Sequence, residues 1–482
     1  MNPMDIVRKQ APQLRKGALG LFSIVATVIA TNGPLTGLIG AVPVSLTIGN
    51  GIGLPAVFVI VGFAYLLFSV GFTAMSRYVT NAGAFYAYIA RGIGRPAGVS
   101  AAFVAIASYN AMQLACYGML GYFLSFSLHN WFDISAPWWL CCIATLAVIY
   151  FASIRDIHIS GDLLLTLLTG EMLVITVFDI AALTHGGPAG YTLAPFYPQR
   201  IFTAGLGPAM VFVVGSYMGF ETTAIYAEEA RNPTRNIPLA TYISLGTIMV
   251  LYTVSIWTLI VVWGPDRVVA EAARDAGNLW YGMAEHVAGH FVAQAMSVLM
   301  LTSLFAALLS FHNTTSRYIF ALGRELVLPG VLGLVSPSQH TPVVASSVQA
   351  FAVVLALLGF ARGGADPMVT VLPYTATLST IGLLVVQCGT SIAVIRFFMR
   401  HPHGESAWVR LIAPLASAAS LGCFVVMEVA HLDLLTNSTS AYVYLLPCGI
   451  LAIAAVAMLY ALWIRKNRPD RYSCLGRLLS DI

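Results

Sequence analysis

The chain has 482 residues, of which 58% are hydrophobic and only 9% charged, with a formal net charge of +4. A soluble domain carries roughly 25% charged residues, so the polar side chains here are too few to coat a water-soluble globule, and the composition indicates an integral membrane protein. The slight positive balance is no nucleic-acid signature, because the basic residues sit in short segments between apolar runs, where they set orientation.

In chain order, residues 1–16 are polar and include Pro3 and Pro12. They read as a cytoplasmic N-terminal segment and not as a signal peptide, since the apolar run that follows is too long and lacks a small-residue cleavage pattern. A spanning helix needs about 20 mostly apolar residues. Twelve stretches qualify, at roughly 18–48, 54–76, 97–126, 136–153, 161–184, 203–230, 240–263, 287–320, 342–361, 368–398, 409–430 and 441–464. The first, third, eighth and tenth are long enough to imply tilt or a break.

Two of these stretches are visibly interrupted. The first contains Ala30-Thr31-Asn32-Gly33-Pro34, and the sixth contains Gly215-Ser216-Tyr217-Met218-Gly219-Phe220-Glu221. Lipid offers no hydrogen bonds, so a membrane helix loses its ladder only beside protein or a water-filled cavity. One break in each half points to a transporter architecture with a ligand site at the bilayer midplane.

With the N-terminus in the cytoplasm, 20 of the 24 Arg and Lys fall in inside segments, and four (Arg200, Arg267, Arg274 and Arg362) fall outside. That imbalance puts both termini in the cytoplasm. The first and sixth helices then run in opposite directions, each the first of five. The expected fold is an all-α integral membrane protein with 12 transmembrane helices. Its core, 17–400, is a 5+5 inverted repeat (about 17–185 and 202–400), followed by two more helices over 401–464 and a cytoplasmic tail, 465–482. The seven cysteines lie mostly inside apolar runs and show neither a disulfide framework nor metal-ligand spacing.

Several local strings carry a resemblance. Gly219-Phe220-Glu221, Glu228-Glu229-Ala230-Arg231-Asn232-Pro233 and Asn236-Ile237-Pro238 resemble the sixth-helix signature of the amino acid–polyamine–organocation superfamily. Ala82-Gly83-Ala84-Phe85-Tyr86-Ala87-Tyr88 with Gly92-Ile93-Gly94 is similar to that family's segment between helices two and three. The run from Ser316 to Glu325, then Leu328-Pro329 and Thr341-Pro342, resembles the end of its helix eight. The resemblance covers residues 17 to about 400. It implies a LeuT-type fold and secondary active transport of amino acids, amines or related organic cations.

Each candidate site residue has a functional role and a plainer alternative. In the family, the helix-one turn exposes backbone N–H groups that bind a substrate carboxylate, and a half-helix N-terminus has the partial charge to do so. Here Thr31, Asn32, Gly33 and Pro34 replace the family's Gly-Ser-Gly type of turn: Pro34 removes a donor, and Asn32 supplies a side-chain amide. The plainer alternative is a kink that only shapes packing. At the sixth helix, Gly215 and Gly219 permit an unwound backbone whose carbonyls hold an ammonium group. Tyr217 and Phe220 serve as lid or cation–π surface, or as ordinary core, and by resemblance Tyr217 is the gate. Glu221 reads as structural, capping the break.

Glu171 lies roughly 15 Å into the fifth helix, near the midplane, where a carboxyl is functional by default. The resemblance implies a lysine at the matching position in many carriers, and that lysine is absent. Glu171 is open to three roles (coupling proton, metal cation, cationic substrate) besides a purely structural one. Ser310, His312, Asn313 and Thr314 form a polar cluster expected to complete a coupling-ion site with it. Asn110 and Gln113, with Tyr117, share a face of helix three and either line the cavity or bond neighbouring helices. Asp179, Glu428, His431 and Asp433 are expected near the outer interface and solvated, and residues 265–286 form a polar outer segment with a short helix.

No nucleotide-binding loop or hydrolase motif is present, so the energy source is an ion or substrate gradient and not ATP. The sequence therefore predicts a non-enzymatic permease of the cytoplasmic membrane, a monomer or homodimer in the lipid bilayer. No cofactor and no nucleic acid are expected. The leading substrate is an amino acid, coupled to H+ with Na+ as the alternative ion. An organic amine or polyamine carrier or exchanger is the runner-up, and a non-transporting sensor a distant third.

Overall fold

The computed structural model describes residues 14–79, 83–155, 157–473 and 475–476. Residues 1–13, Ala82, Cys474 and Arg477, which the sequence argument used, lie outside these. Among the described residues the regular elements are helical, and the one extended pairing is an isolated parallel bridge between Leu19 and Ala230.

The first apolar run forms α1 (Leu21–Asn32), the single residue Gly33, and α2 (34–48), whose middle is a π-helical turn. Then come α3 (Leu54–Ser76), α4 (Phe85–Gly92), α5 (Arg95–Phe132), α6 (Trp138–Ser153) and α7 (Ile157–His185). The second half has α8 (Leu206–Tyr217), a tighter 3-10 stretch (Phe220–Glu228) and α9 (Pro233–Trp263). It continues with two short helices, α10 (Val268–Arg274) and α11 (Leu279–Ala288), then α12 (His290–Arg324) and α13 (Val343–Arg362). Three more spans, α14 (Pro367–Arg400), α15 (Trp408–Ala430) and α16 (Ala441–Asn467), complete the bundle.

Helix starts follow local chemistry. Pro55, Pro96 and Pro233 occupy first-turn positions, where a missing N–H costs nothing. Asp366 caps α14 by accepting from the N–H groups of Met368 (2.8 Å) and Val369 (2.7 Å).

Among the described residues, ten helices are long and apolar enough to cross a membrane. The other two expected spans fall short for identifiable reasons. α6 has 16 residues, about 24 Å at the helical rise, against a hydrocarbon core of about 30 Å. Residues 203–230 are divided by their break.

Burial sorts the spans. In the most apolar window of Leu21–Ile48, 72% of residues are buried, against 17% for Ala441–Asn467. The first run therefore lies at the centre and α16 at the periphery, where Leu445, Leu451, Val456 and Leu459 are exposed, as lipid-facing residues are. α5 packs along α14, α12 lies against α5, α7 and α1, and α3 lies against α9.

Two expectations about outer polar residues are corrected. Asp179 is buried and accepts hydrogen bonds from Ser255 (2.7 Å) and Thr258 (2.9 Å) of α9. Glu428 is 1% exposed, inside the contact of α15 with its neighbours. Position along a helix gives depth but not the direction a side chain faces, and both turn inward. Asp433 is exposed as expected. The 265–286 segment forms α10 and α11, with Trp280 and Met283 buried beneath it.

Asp366→Ala should lower stability by about 1 kcal/mol through loss of the cap, read as a fall in the thermal unfolding midpoint in detergent, with Asp366→Asn losing less.

Candidate functional site

The site is built where the two interrupted helices meet. α1 ends at Asn32, and Gly33 adopts a left-handed conformation (φ +54°) whose N–H still bonds back to Ile29 and Ala30. Pro34 opens α2 directly, and the new ladder begins with the Gly37 N–H donating to the Gly33 carbonyl at 2.9 Å. The break is thus one residue wide, narrower than an unwound turn, because glycine supplies the left-handed cap and proline the pre-set first position.

A helix start leaves its first N–H groups without intrahelical partners. Pro34 has none to offer, and the Gly33 N–H is already used. The Leu35 N–H donates to Glu171 Oε1 at 2.5 Å, and the Ser303 hydroxyl of α12 donates to the same oxygen at 2.8 Å. Thr36 in turn donates to Ser303 at 3.2 Å. Glu171, 1% exposed on α7, therefore sits on the N-terminus of α2, where the helix dipole and free donors favour an anion. The Tyr252 hydroxyl of α9 lies against the same turn: a β-carbon at Gly37 would fall 2.0 Å from its oxygen. Tyr252 is fully buried, and its hydroxyl makes no hydrogen bond.

The second break falls at Met218 and Gly219. Met218 is extended, Gly219 has φ +113°, and the chain resumes as the 3-10 stretch. Glu221, fully buried, caps it by accepting from the Gly219 N–H at 3.0 Å and from the Tyr109 hydroxyl at 3.1 Å. Gly215 lies inside α8, one turn before the unwound point.

Asn32 ties the breaks together. Its amide nitrogen donates to the carbonyls of Ser216 (3.1 Å) and Met218 (2.6 Å), which the second break has freed. Both amide hydrogens are thereby spent on backbone. The amide that the sequence assigned to a carboxylate leaves an acceptor instead: Asn32 Oδ1, buried and without a partner. The Thr31 methyl packs where a Gly219 side chain would be, 2.8 Å from a β-carbon there.

The two rings of the sixth helix pack on α3. Tyr217 donates its hydroxyl to the Phe58 carbonyl at 2.6 Å, with its ring 5.5 Å from Tyr65. Phe220 meets Tyr65 and Phe68 edge-on at 5.1 and 5.7 Å. Both are fully buried. Asn110 and Gln113 each accept from Gln349 of α13 at 2.8 Å, joining α5 to α13.

The helix-eight cluster separates. Ser310 faces α1, paired with the Thr31 hydroxyl at 2.5 Å and donating to the Thr27 carbonyl at 3.2 Å. His312 bonds Ser346 of α13 at 2.8 Å, Asn313 accepts from Ser153 of α6 at 2.7 Å, and Thr314 is fully buried. Consecutive helical residues turn about 100°, so four neighbours cannot converge on one ion. The α12 partner of Glu171 is Ser303, seven residues before Ser310 and on the same helical face. Sequence reasoning missed it, although the two-turn spacing was available.

At the predicted cytoplasmic end, Arg317 makes a bidentate pair with Glu229 (2.6 and 3.1 Å), both side chains at most 3% exposed. Arg324 pairs with Glu228 at 2.8 and 2.6 Å. Leu19 and Arg231 complete the bridge beside them: the Leu19 N–H donates to the Glu229 carbonyl (2.9 Å), and the Arg231 N–H donates to the Leu19 carbonyl (2.8 Å).

A helical membrane bundle whose two interrupted helices meet beside buried carboxyl groups is the architecture of a membrane transport protein. The pattern of the amino acid permease family matches residues 19–478. The chain belongs to that family and is a permease, not an enzyme. It is similar to the branched-chain amino acid permease BcaP of Bacillus subtilis, at 27% identity over 80% of each chain. It is also similar to the aromatic amino acid transport protein AroP of Escherichia coli, at 24% identity over 92% of this chain and 95% of that one. Cationic amino acid transporter 5 of Arabidopsis thaliana matches at 24% identity over 57% of this chain, which spans 45% of that relative.

Tyr217→Ala should cost about 3–5 kcal/mol by emptying a packed site, whereas Tyr217→Phe should cost about 1 kcal/mol. Unfolding midpoints of both in detergent check this. Arg317→Met should lose about 3–5 kcal/mol by stranding Glu229, and the double variant with Glu229→Leu should recover most of it, measured the same way.

Proposed function

We propose that this permease moves amino acids across the cytoplasmic membrane by alternating access, coupled to protons. The observation that carries the proposal is the junction of the two breaks through Asn32, with an ionisable carboxyl, Glu171, on the adjoining half-helix start. The relatives are named for branched-chain, aromatic and cationic amino acids. Such substrates share only an ammonium and a carboxylate, the two groups that a buried acceptor and a half-helix start can receive.

On this reading the chain crosses the bilayer twelve times, with α6 and the interrupted α8 segment added to the ten long spans, and both termini lie in the cytoplasm. The halves are inverted repeats. A bundle containing α1, α2, α3, α8 and α9 rocks against a scaffold of α5, α6, α12 and α13. The pairs Arg317–Glu229 and Arg324–Glu228 join the two groups and act as the cytoplasmic gate. H+ is favoured over Na+ because the oxygens do not gather: Glu171 turns to Leu35 and Ser303, while Ser310 turns to Thr27 and Thr31.

One observation favours a second reading, an organic amine or polyamine carrier. Glu171 already fills the place where a substrate carboxylate would bind. Proteoliposomes with an inward proton gradient separate the two. Accumulation of amino acids above the level of their decarboxylated amines is expected, and it should collapse when a protonophore is added. Accumulation of amines alone would replace the proposal with the second reading.

A further inference from the structure

We infer that Glu171 is an internal stand-in for the substrate's carboxylate: ionised, it occupies the start of α2, and protonated, it yields the Leu35 N–H to the substrate, so that carboxylate and proton are taken up together. The inference rests on the amino acid reading above and adds the means of coupling.

The start of α2 can offer the N–H groups of Leu35 and Thr36, since Pro34 has none and the Gly33 N–H is bonded back into α1. The Leu35 donor is held by Glu171 at 2.5 Å. Two ionised carboxylates cannot share so small a set of donors in a water-excluded site, because like charges at that range each oppose the other's ionised form. Binding of a substrate carboxylate and ionisation of Glu171 are therefore mutually exclusive, and linkage makes the exclusion reciprocal.

Two further groups mark this as a place for a ligand beyond Glu171 itself. The Tyr252 hydroxyl, fully buried and unbonded, stands against the same turn as a ready donor. Asn32 Oδ1, buried and unbonded, stands one residue before the break as an acceptor for an ammonium group.

The step is a proton transfer with no covalent change to the chain. A proton from the aqueous side to which the site is open forms an O–H bond on the Glu171 carboxylate. The Leu35 N–H then passes to the substrate carboxylate, and Ser303 remains a partner for the neutral acid. Loss of substrate on the opposite side restores the Leu35 contact as the proton leaves.

Few other ionisable groups surround Glu171. Among the described residues, α9 turns Tyr252 toward it and α12 turns Ser303. On α11, the Tyr281 hydroxyl is spent on Met300 Sδ. α1 and α2 contain no titratable side chain. On α7, the next carboxyl is Asp179, about two turns further and bonded to Ser255 and Thr258.

The test is equilibrium binding of a radiolabelled amino acid to the purified full chain in detergent, without a gradient, at stepped pH. For the wild type, Kd should fall by up to about tenfold for each unit of acidification. Glu171→Gln should bind with a Kd that no longer depends on pH and, at alkaline pH, is lower than that of the wild type. The decarboxylated amine of the same side chain should show no such slope on the wild type, a comparison that needs no variant. A wild-type slope retained in Glu171→Gln, or an equal slope for the amine, overturns the inference and leaves amino acid transport standing. If no amino acid binds saturably to folded wild-type protein at any pH, the transport reading fails and the inference with it.

Discussion

Every backbone N–H and C=O freed inside a bilayer must find its partner within the protein, and both breaks in this chain are organised around that need. The first frees the Leu35 N–H, which goes to Glu171. The second frees the Gly219 N–H, which goes to Glu221, and the carbonyls of Ser216 and Met218, which go to the Asn32 amide. Carboxylates meet donors and an amide nitrogen meets acceptors, so the polar side chains at the centre are complements of the interrupted ladder. The magnitudes are closely matched. A hydrogen bond to a charged group contributes about 1.5–3 kcal/mol, so the two bonds to Glu171 offset a burial penalty that is itself several kcal/mol. A contact balanced in this way is one that a proton or a competing anion can displace, whereas a break sealed by apolar packing alone would have no such lever.

The same balance works differently at the ion pairs. Arg317 and Glu229 are buried with bidentate geometry, and such a pair is weak evidence for stability because desolvation cancels much of the attraction. Its effect is selective: the charges are satisfied only when the end of the 3-10 stretch lies against α12. The Leu19–Ala230 bridge extends that closure to the segment before α1. A few groups, costly when separated, thus favour this arrangement without cementing it.

How much of this was legible in the sequence follows from what a linear pattern encodes. Hydropathy marked the ten long spans among the twelve stretches expected, and Gly33-Pro34 and Gly219 marked the breaks, since glycine and proline act locally. Glu171 stood out as a carboxyl inside an apolar run, and the structure buries it against the first break. Rotation about a helix axis was not legible. Ser310, His312, Asn313 and Thr314 look like one cluster in sequence and face three different helices in space. Asp179 and Glu428, expected to be solvated, turn inward. Hydrogen-bond polarity was the other loss. The Asn32 amide had two possible uses, and only the position of the Ser216 and Met218 carbonyls decides that its nitrogen is spent and its oxygen is spare. Seven-residue spacing from Ser310 to Ser303 was the one overlooked signal that geometry alone would have supplied.

The remaining polar and aromatic contacts divide the bundle into two internally fastened groups. Tyr217 and Phe220 are fixed to α3 through the Phe58 carbonyl and the rings of Tyr65 and Phe68, so the second break cannot shift without carrying α3 with it. Gln349 holds Asn110 and Gln113, which fastens α13 to α5, and Ser153 and Ser346 bind α6 and α13 to α12. Between the groups, the polar contacts are Thr31 with Ser310, Thr36 with Ser303, Tyr109 with Glu221, and the two arginine pairs, set within apolar packing. Packed cores resist continuous deformation, whereas hydrogen bonds and ion pairs can be exchanged one for another at modest net cost. On the proposed reading, relative motion runs along the seam where the two breaks and Glu171 lie. A ligand that replaces contacts in that seam biases the motion by the difference in its affinity for the two arrangements, and on the proposed reading Glu171, which touches α2 from α7 at that seam, is where a proton alters that difference.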